Sequence, residues 1–222
     1  MWKGLTEGAW LYQYEVKFFN PANALAVRLE NGNLVVLSPP GDVPESCFTE
    51  LQKKGEIVAL IAPHAGHVQG RKLWQRRYPQ ARFHAPETAH SHLTGTVAPL
   101  SEIAPSIDIE FRPIPGTKRG GTLVRVERPP RPVVYIDEVI GNQPSLPGLL
   151  VIKLLFWITG SAPGIRVNKI FTSMLCHDAR AVAAAALEIL AGDPIVVPAH
   201  GEPIDNPGDL AKVQLLLQSL ID

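Results

Sequence analysis

The chain has 222 residues, 45% of them hydrophobic, which is ample for a sizeable core; layered folds of about 200–250 residues commonly form one domain, so residues 1–222 are read as a single unit. Its 21 basic residues balance its 21 acidic ones, so it lacks the basic excess of a nucleic-acid binder, and no nucleic-acid partner is expected. Cys47 and Cys176 stand far apart with no metal-type spacing or disulfide framework, and Met1–Gly8 has no apolar leader run, so a reducing cytoplasm is the expected setting.

Taken in chain order, Tyr12–Phe19, Ala24–Glu30 and Leu34–Ser38 read as an opening antiparallel meander, with a turn at Asn31-Gly32-Asn33. Pro39-Pro40-Gly41 breaks it. A helix over Pro44–Lys54 leads into Ile57–Ile61, an all-apolar run typical of a buried central strand. A second helix covers Arg71–Tyr78, with Trp74 and Tyr78 on one face as core or lid residues, and Arg82–Ala85 is a short strand. Ile107–Arg112, Thr122–Glu127 and Val133–Ile136 are three further strands between Gly and Pro breaks. Leu146–Ile158 reads as a helix, Ala179–Ala191 as another capped by Asp178, Ile195–Val197 as a last buried strand and Asp209–Leu220 as a closing helix.

Three polar clusters each follow directly on a buried apolar strand: Pro63-His64-Ala65-Gly66-His67, Asp137, and His200-Gly201. In sheets covered by helices, ligands gather at the carboxyl ends of strands. Three imidazoles and a carboxylate (His64, His67, His200 and Asp137) are therefore expected to converge on one rim, a donor set suited to zinc or iron ahead of manganese. As plain structure, the same groups would be loop histidines and an aspartate bracing the turn toward Gly141-Asn142.

The order and wording of these segments resemble the metallo-β-lactamase superfamily. Its first motif, Thr-His-x-His-x-Asp-His, is matched by Ile61-Ala62-Pro63-His64-Ala65-Gly66-His67; its Pro-Gly-His-Thr by Pro115-Gly116-Thr117-Lys118; its bridging aspartate by Asp137; its closing Pro-x-His-Gly by Pro198-Ala199-His200-Gly201. The resemblance spans nearly the whole chain and implies an α/β (α+β) four-layer αββα sandwich. The chain also departs from the pattern: Ala62 replaces the first histidine, Gly66 the aspartate, and Thr117 the third-motif histidine. The resemblance thus implies that the family's two-metal centre is reduced to one divalent ion, held by some of His64, His67, Asp137 and His200, or to none.

The resemblance implies a metal-dependent hydrolase of a small ester, thioester, lactone or phosphoester, with His64 as ligand or base and Asp137 in the catalytic site. The competing reading is a metal-free member of the fold that binds or scaffolds. Lys118 and Arg119 read as a solvated hairpin tip that could also face an anion. His90 and His92 read as surface residues, and His177 as part of a helix entry. The apolar stretch 149–158 is too short to span a bilayer and is read as a buried or docking helix, through which a homo-oligomer could form.

Overall fold

The computed structural model describes all 222 residues. Its first sheet holds β1 (Lys3–Thr6), β2 (Ala9–Tyr14), β3 (Ala22–Arg28), β4 (Leu34–Leu37), β5 (Ile57–Ile61), β6 (Arg82–Ala85) and β7 (Ala98–Pro99), side by side in chain order. β1–β4 pair antiparallel and β4–β7 parallel. The parallel half needs crossovers, which contain α1 (Glu45–Gln52), α2 (Arg71–Arg77) and α3 (Glu87–His90).

The second half continues through β8 (Ile109–Pro113), β9 (Thr122–Val126), β10 (Val133–Tyr135), β11 (Ile140–Gln143), α4 (Leu150–Thr159), β12 (Gly164–Val167), α5 (Lys169–Met174), α6 (Ala179–Ile189), β13 (Ile195–Val197) and α7 (Pro207–Gln218). The second sheet runs β13-β10-β9-β8, with β13 parallel to β10, and β11 pairs with β12 in a separate ribbon.

The all-apolar strands follow from burial on both faces. Along β4, Leu34 and Val36 pack outward beneath Phe48, Leu51 and Trp74 of the first helix layer, while Val35 and Leu37 face the other sheet. Along β10, Val133 and Tyr135 join that same inter-sheet core, while Val134 packs against Val182 and Val213 of α6 and α7. Three apolar layers thus separate helices, sheet, sheet and helices: the four-layer αββα arrangement. Period-two side-chain alternation sends each strand's residues into two different cores.

The differences from the expected elements have local causes. β2 stops at Tyr14 because the chain turns through Phe18, whose φ of 69° is left-handed. α4 begins at Leu150, not Leu146, because Pro147-Gly148 belong to the connection leaving β11. β1, β11, β12 and α5 are short and lack a clear apolar period, so the sequence pattern does not expose them.

Leu60 in β5 is fully buried, whereas Leu154 on α4 is 52% exposed. Leu60→Ala is expected to lower unfolding free energy by about 2–5 kcal/mol, and Leu154→Ala to change it by less than about 0.5 kcal/mol, in urea denaturation.

Candidate metal centre

Three strand ends build the site. His64 and His67 lie on the turn after β5, Asp137 and Glu138 follow β10, and His200 follows β13. Because β10 and β13 are parallel neighbours, their carboxyl ends lie at one rim. Asn23 of β3 ties the sheets together there, donating from Nδ2 to the Pro198 and Gly201 carbonyls at 2.8 Å each. Gly201 is required at its position: its φ is 91°, and a Cβ would lie 1.9 Å from the Asn142 carbonyl oxygen.

The sequence-predicted histidines meet, and a residue absent from the expectation joins them. Glu138 Oε1 lies 3.2 Å from His67 Nε2, 3.3 Å from His200 Nε2 and 3.9 Å from His64 Nε2. Asp137 Oδ1 lies 3.7 Å from His64 Nε2. In a regular strand, consecutive side chains point to opposite faces, so Asp137 and Glu138 would diverge. Asp137 instead has φ 50°, and this left-handed residue breaks the alternation. Both carboxylates then reach the same imidazole.

Hydrogen bonds to the outer ring nitrogens set what each imidazole offers. His200 Nδ1 donates to the Asn20 carbonyl at 3.0 Å, which in the neutral ring leaves a lone pair on Nε2. His67 Nδ1 lies 2.8 Å from the Ser38 hydroxyl, itself 3.0 Å from Tyr14 OH, so its proton can sit on Nδ1 as well. His64 is reversed: its Nδ1 accepts from the Gly66 backbone N–H at 3.0 Å, so the neutral ring carries its proton on Nε2.

The consequence is electrostatic. The Nε2 lone pair of His200 faces a carboxylate oxygen at 3.3 Å, a repulsive arrangement unless a proton or a metal ion lies between. An ion with tetrahedral ligands at about 2.0–2.1 Å needs ligand atoms about 3.3–3.4 Å apart. The His67–Glu138 and His200–Glu138 separations match that spacing. Moreover, His64 Nε2 and Asp137 Oδ1 are buried with no hydrogen-bond partner. The donor atoms of His64, His67 and Glu138 all lie within 4.8 Å of one another. His200 stands outside that trio, but its Nε2 lone pair lies 3.3 Å from Glu138, so Glu138 and His67 together with either His64 or His200 are the donors that could hold an ion. The residues present therefore fit a divalent ion.

Burial shapes the charges. It pushes the Asp137 carboxyl up to about 6, although His64 and the Thr122 N–H on Oδ2 (2.9 Å) pull it back. It drives His67 down to about 4. For His64 and His200 burial also pulls downward, but the adjacent carboxylates outweigh it and raise both rings. Glu138, which burial alone would raise, is held well below the usual carboxylate range, His200 foremost among its neighbours.

The remaining expected positions lie apart. Thr117 is buried and its hydroxyl donates to the Ile114 carbonyl at 3.1 Å. Lys118 and Arg119 are exposed in the β8–β9 loop, with Lys118 Nζ donating to the Met174 carbonyl at 3.0 Å. His90 bonds the Ala85 carbonyl, His92 and His177 are exposed, and Trp74 and Cys176 are core. Asp178 caps α6 through the Ala181 N–H. Strand alternation gives no reason to place Glu138 beside Asp137, so sequence reasoning misses it; the one signal available is the adjacent acidic pair itself. A cavity of about 160 Å³, lined by Phe19, His64, Glu138, Phe156 and His200, opens onto the cluster. A larger cleft of about 410 Å³ near Glu87 has no other ionisable group and offers no comparable chemistry.

No family model and no curated protein matches the chain. Solved structures do. A metallo-β-lactamase from Pontibacter korlensis superposes with TM-score 0.66 at 17% identity, over 98% of this chain and 98% of that one. The metal-soaked Flv1 flavodiiron core from Synechocystis sp. PCC6803 gives 0.64 at 15%, over 100% of this chain, which spans 60% of that one. DIM-1 metallo-β-lactamase gives 0.62 at 14%, over 99% and 97%. The chain has the metallo-β-lactamase fold.

Gly66, which stands where the family pattern has aspartate, faces His64 so closely that a Cβ would lie 2.7 Å from its Cε1. Gly66→Asp is therefore expected to displace His64 and not to add a second metal equivalent. Elemental analysis beside the wild-type protein checks this.

Proposed function

We propose that this protein is a metal-dependent hydrolase with one divalent ion, zinc or iron, held by His67, His200 and Glu138. The observation that carries the reading is the pairing of two outward-fixed imidazoles, each presenting Nε2 to one carboxylate oxygen at metal-ligand spacing. Three protein ligands leave an open coordination position, as catalytic sites require. A bound divalent ion polarises a scissile carbonyl or phosphoryl group and brings the pKa of a coordinated water to about 7.

The chain's own groups then divide the remaining work. Ser38 and the Asn20 carbonyl fix the ring orientation of His67 and His200, which holds both ligands in register. His64 holds its Nε2–H between Asp137 and Glu138, where it can donate a hydrogen bond to an oxygen on which negative charge develops. Asp137, held by the Thr122 N–H, places a carboxylate oxygen 3.7 Å from His64 Nε2. Phe19 and Phe156 give the cavity apolar walls. The substrate is a small ester, thioester, lactone or phosphoester.

The replacements at Ala62, Gly66 and Thr117 favour a second reading, in which protons alone neutralise the cluster and the fold serves binding. Elemental analysis of protein purified without added metal or chelator separates the two. About one equivalent of metal, lost in His200→Ala and Glu138→Ala, is expected; a metal-free wild type even after reconstitution would leave only the binding reading. His64→Ala is expected to keep its metal while hydrolysis of a reactive ester or phosphoester falls by about 10²–10³-fold. An unchanged rate would remove His64 from the reaction.

A further inference from the structure

Of the thirteen exposed large apolar residues in the molecule, ten fall in residues 18–19, 149–158 and 174. These segments form one surface. The Gly148 N–H, just before α4, donates to the Phe18 carbonyl at 2.9 Å, and α4 packs on α5, which ends at Met174. On α4 the outward side chains Leu150, Val151, Leu154, Leu155, Trp157 and Ile158 span an arc of about 160° at 3.6 residues per turn. Phe156 alone of the helix is buried, on the opposite side, where it lines the cavity of the candidate metal centre. Such a face exposed to water is a docking surface.

The charges around it say what docks. Between Val139 and Cys176 the chain carries no aspartate or glutamate, although acidic and basic residues balance overall; Lys153, Arg166 and Lys169 are its charged groups. Four lysines are attached to the apolar face. Lys153 lies on the flank of α4, and the Lys169 N–H bonds Ser161 Oγ just beyond the end of α4. Lys17 Nζ sits 5.0 Å from the Phe18 ring centroid, and Lys118 Nζ bonds the Met174 carbonyl. Glu15 is the single acidic residue of the 15–19 loop.

We propose that this face docks on an anionic lipid bilayer, with α4 lying in the interface plane and its lysines against the headgroups. A second copy is disfavoured by charge: an isologous contact sets the patch against itself, and the patch offers Lys153 and Lys169 no aspartate or glutamate between residues 139 and 176 to pair with. Anionic headgroups supply the missing charge, and a Trp beside flanking lysines suits the boundary between acyl chains and water. No helix is long and apolar enough to cross a membrane, so α4 lies on the surface. Docking turns the cavity mouth, lined by Phe19 and Phe156, toward the bilayer. The inference stands whether or not a metal is bound.

The test is flotation of the full chain with vesicles of phosphatidylcholine alone and of phosphatidylcholine mixed with phosphatidylglycerol, with tryptophan emission recorded in parallel. Partition onto the anionic vesicles, a blue shift absent in Trp157→Phe, and weakening by salt are expected. Lys153→Glu should lower the partition coefficient at least about fivefold, the contribution of one basic residue near such a surface. Leu154→Ser should lower it too; both positions are exposed, and circular dichroism verifies that the variants stay folded. Binding to neither vesicle, equal binding to both, or a sedimentation dimer abolished by Trp157→Glu without lipid binding would overturn the proposal.

Discussion

Strand β10 delivers its residues alternately to two cores, Val133 and Tyr135 inward between the sheets, Val134 and Ile136 toward the outer helices. Continued regularly, that alternation would send residues 137 and 138 to opposite sides. The left-handed backbone at Asp137 stops it, and two consecutive carboxylates enter one histidine cluster. Aspartate tolerates this conformation better than most side chains, though it still costs about 1–2 kcal/mol. The strain is held by the flanking strand pairing and by the Thr122 N–H on Asp137. Everything else at the rim depends on it, because Glu138 is the group that His67 and His200 share.

Around that carboxylate the surrounding shell distributes protons unequally among three chemically identical side chains. A backbone carbonyl accepts the outer N–H of His200, the Ser38 hydroxyl can accept or donate at His67, and a backbone N–H at His64 demands a lone pair. His200 thereby faces inward with a lone pair, His67 can do the same, and His64 faces inward with an N–H. The absence of a side chain at Gly66 makes this possible, since the His64 ring occupies the space that a Cβ would need. A side chain at position 66 and the observed position of the His64 ring exclude one another.

The other departure from economical packing is α4. Burying its outer face against the body of the protein would remove a large apolar area from water, yet it faces outward and acid-free beside the cavity. The same helix contributes Phe156 to the cavity wall, so cluster, cavity and apolar face are parts of one surface region. Solvent exposure of this kind is costly unless something covers it.

The layered architecture and the rim were legible in the sequence. Ile57–Ile61, Val133–Ile136 and Ile195–Val197 are apolar at every position because both faces are covered, and residues just beyond such strands lie at a sheet's carboxyl edge whatever the details. That placed His64, His67, Asp137 and His200 together. Caps such as Asp178 on α6 were equally readable, since a capping side chain acts on amides within three residues. Only the tertiary structure could decide the participation of Glu138, the tautomers and the exposure of α4. A left-handed residue and its rotation of the next side chain are not encoded in periodicity; a ring nitrogen's partner, such as Asn20 for His200, lies far away in the chain; and an apolar run reads the same whether the protein's interior or an outside surface covers it.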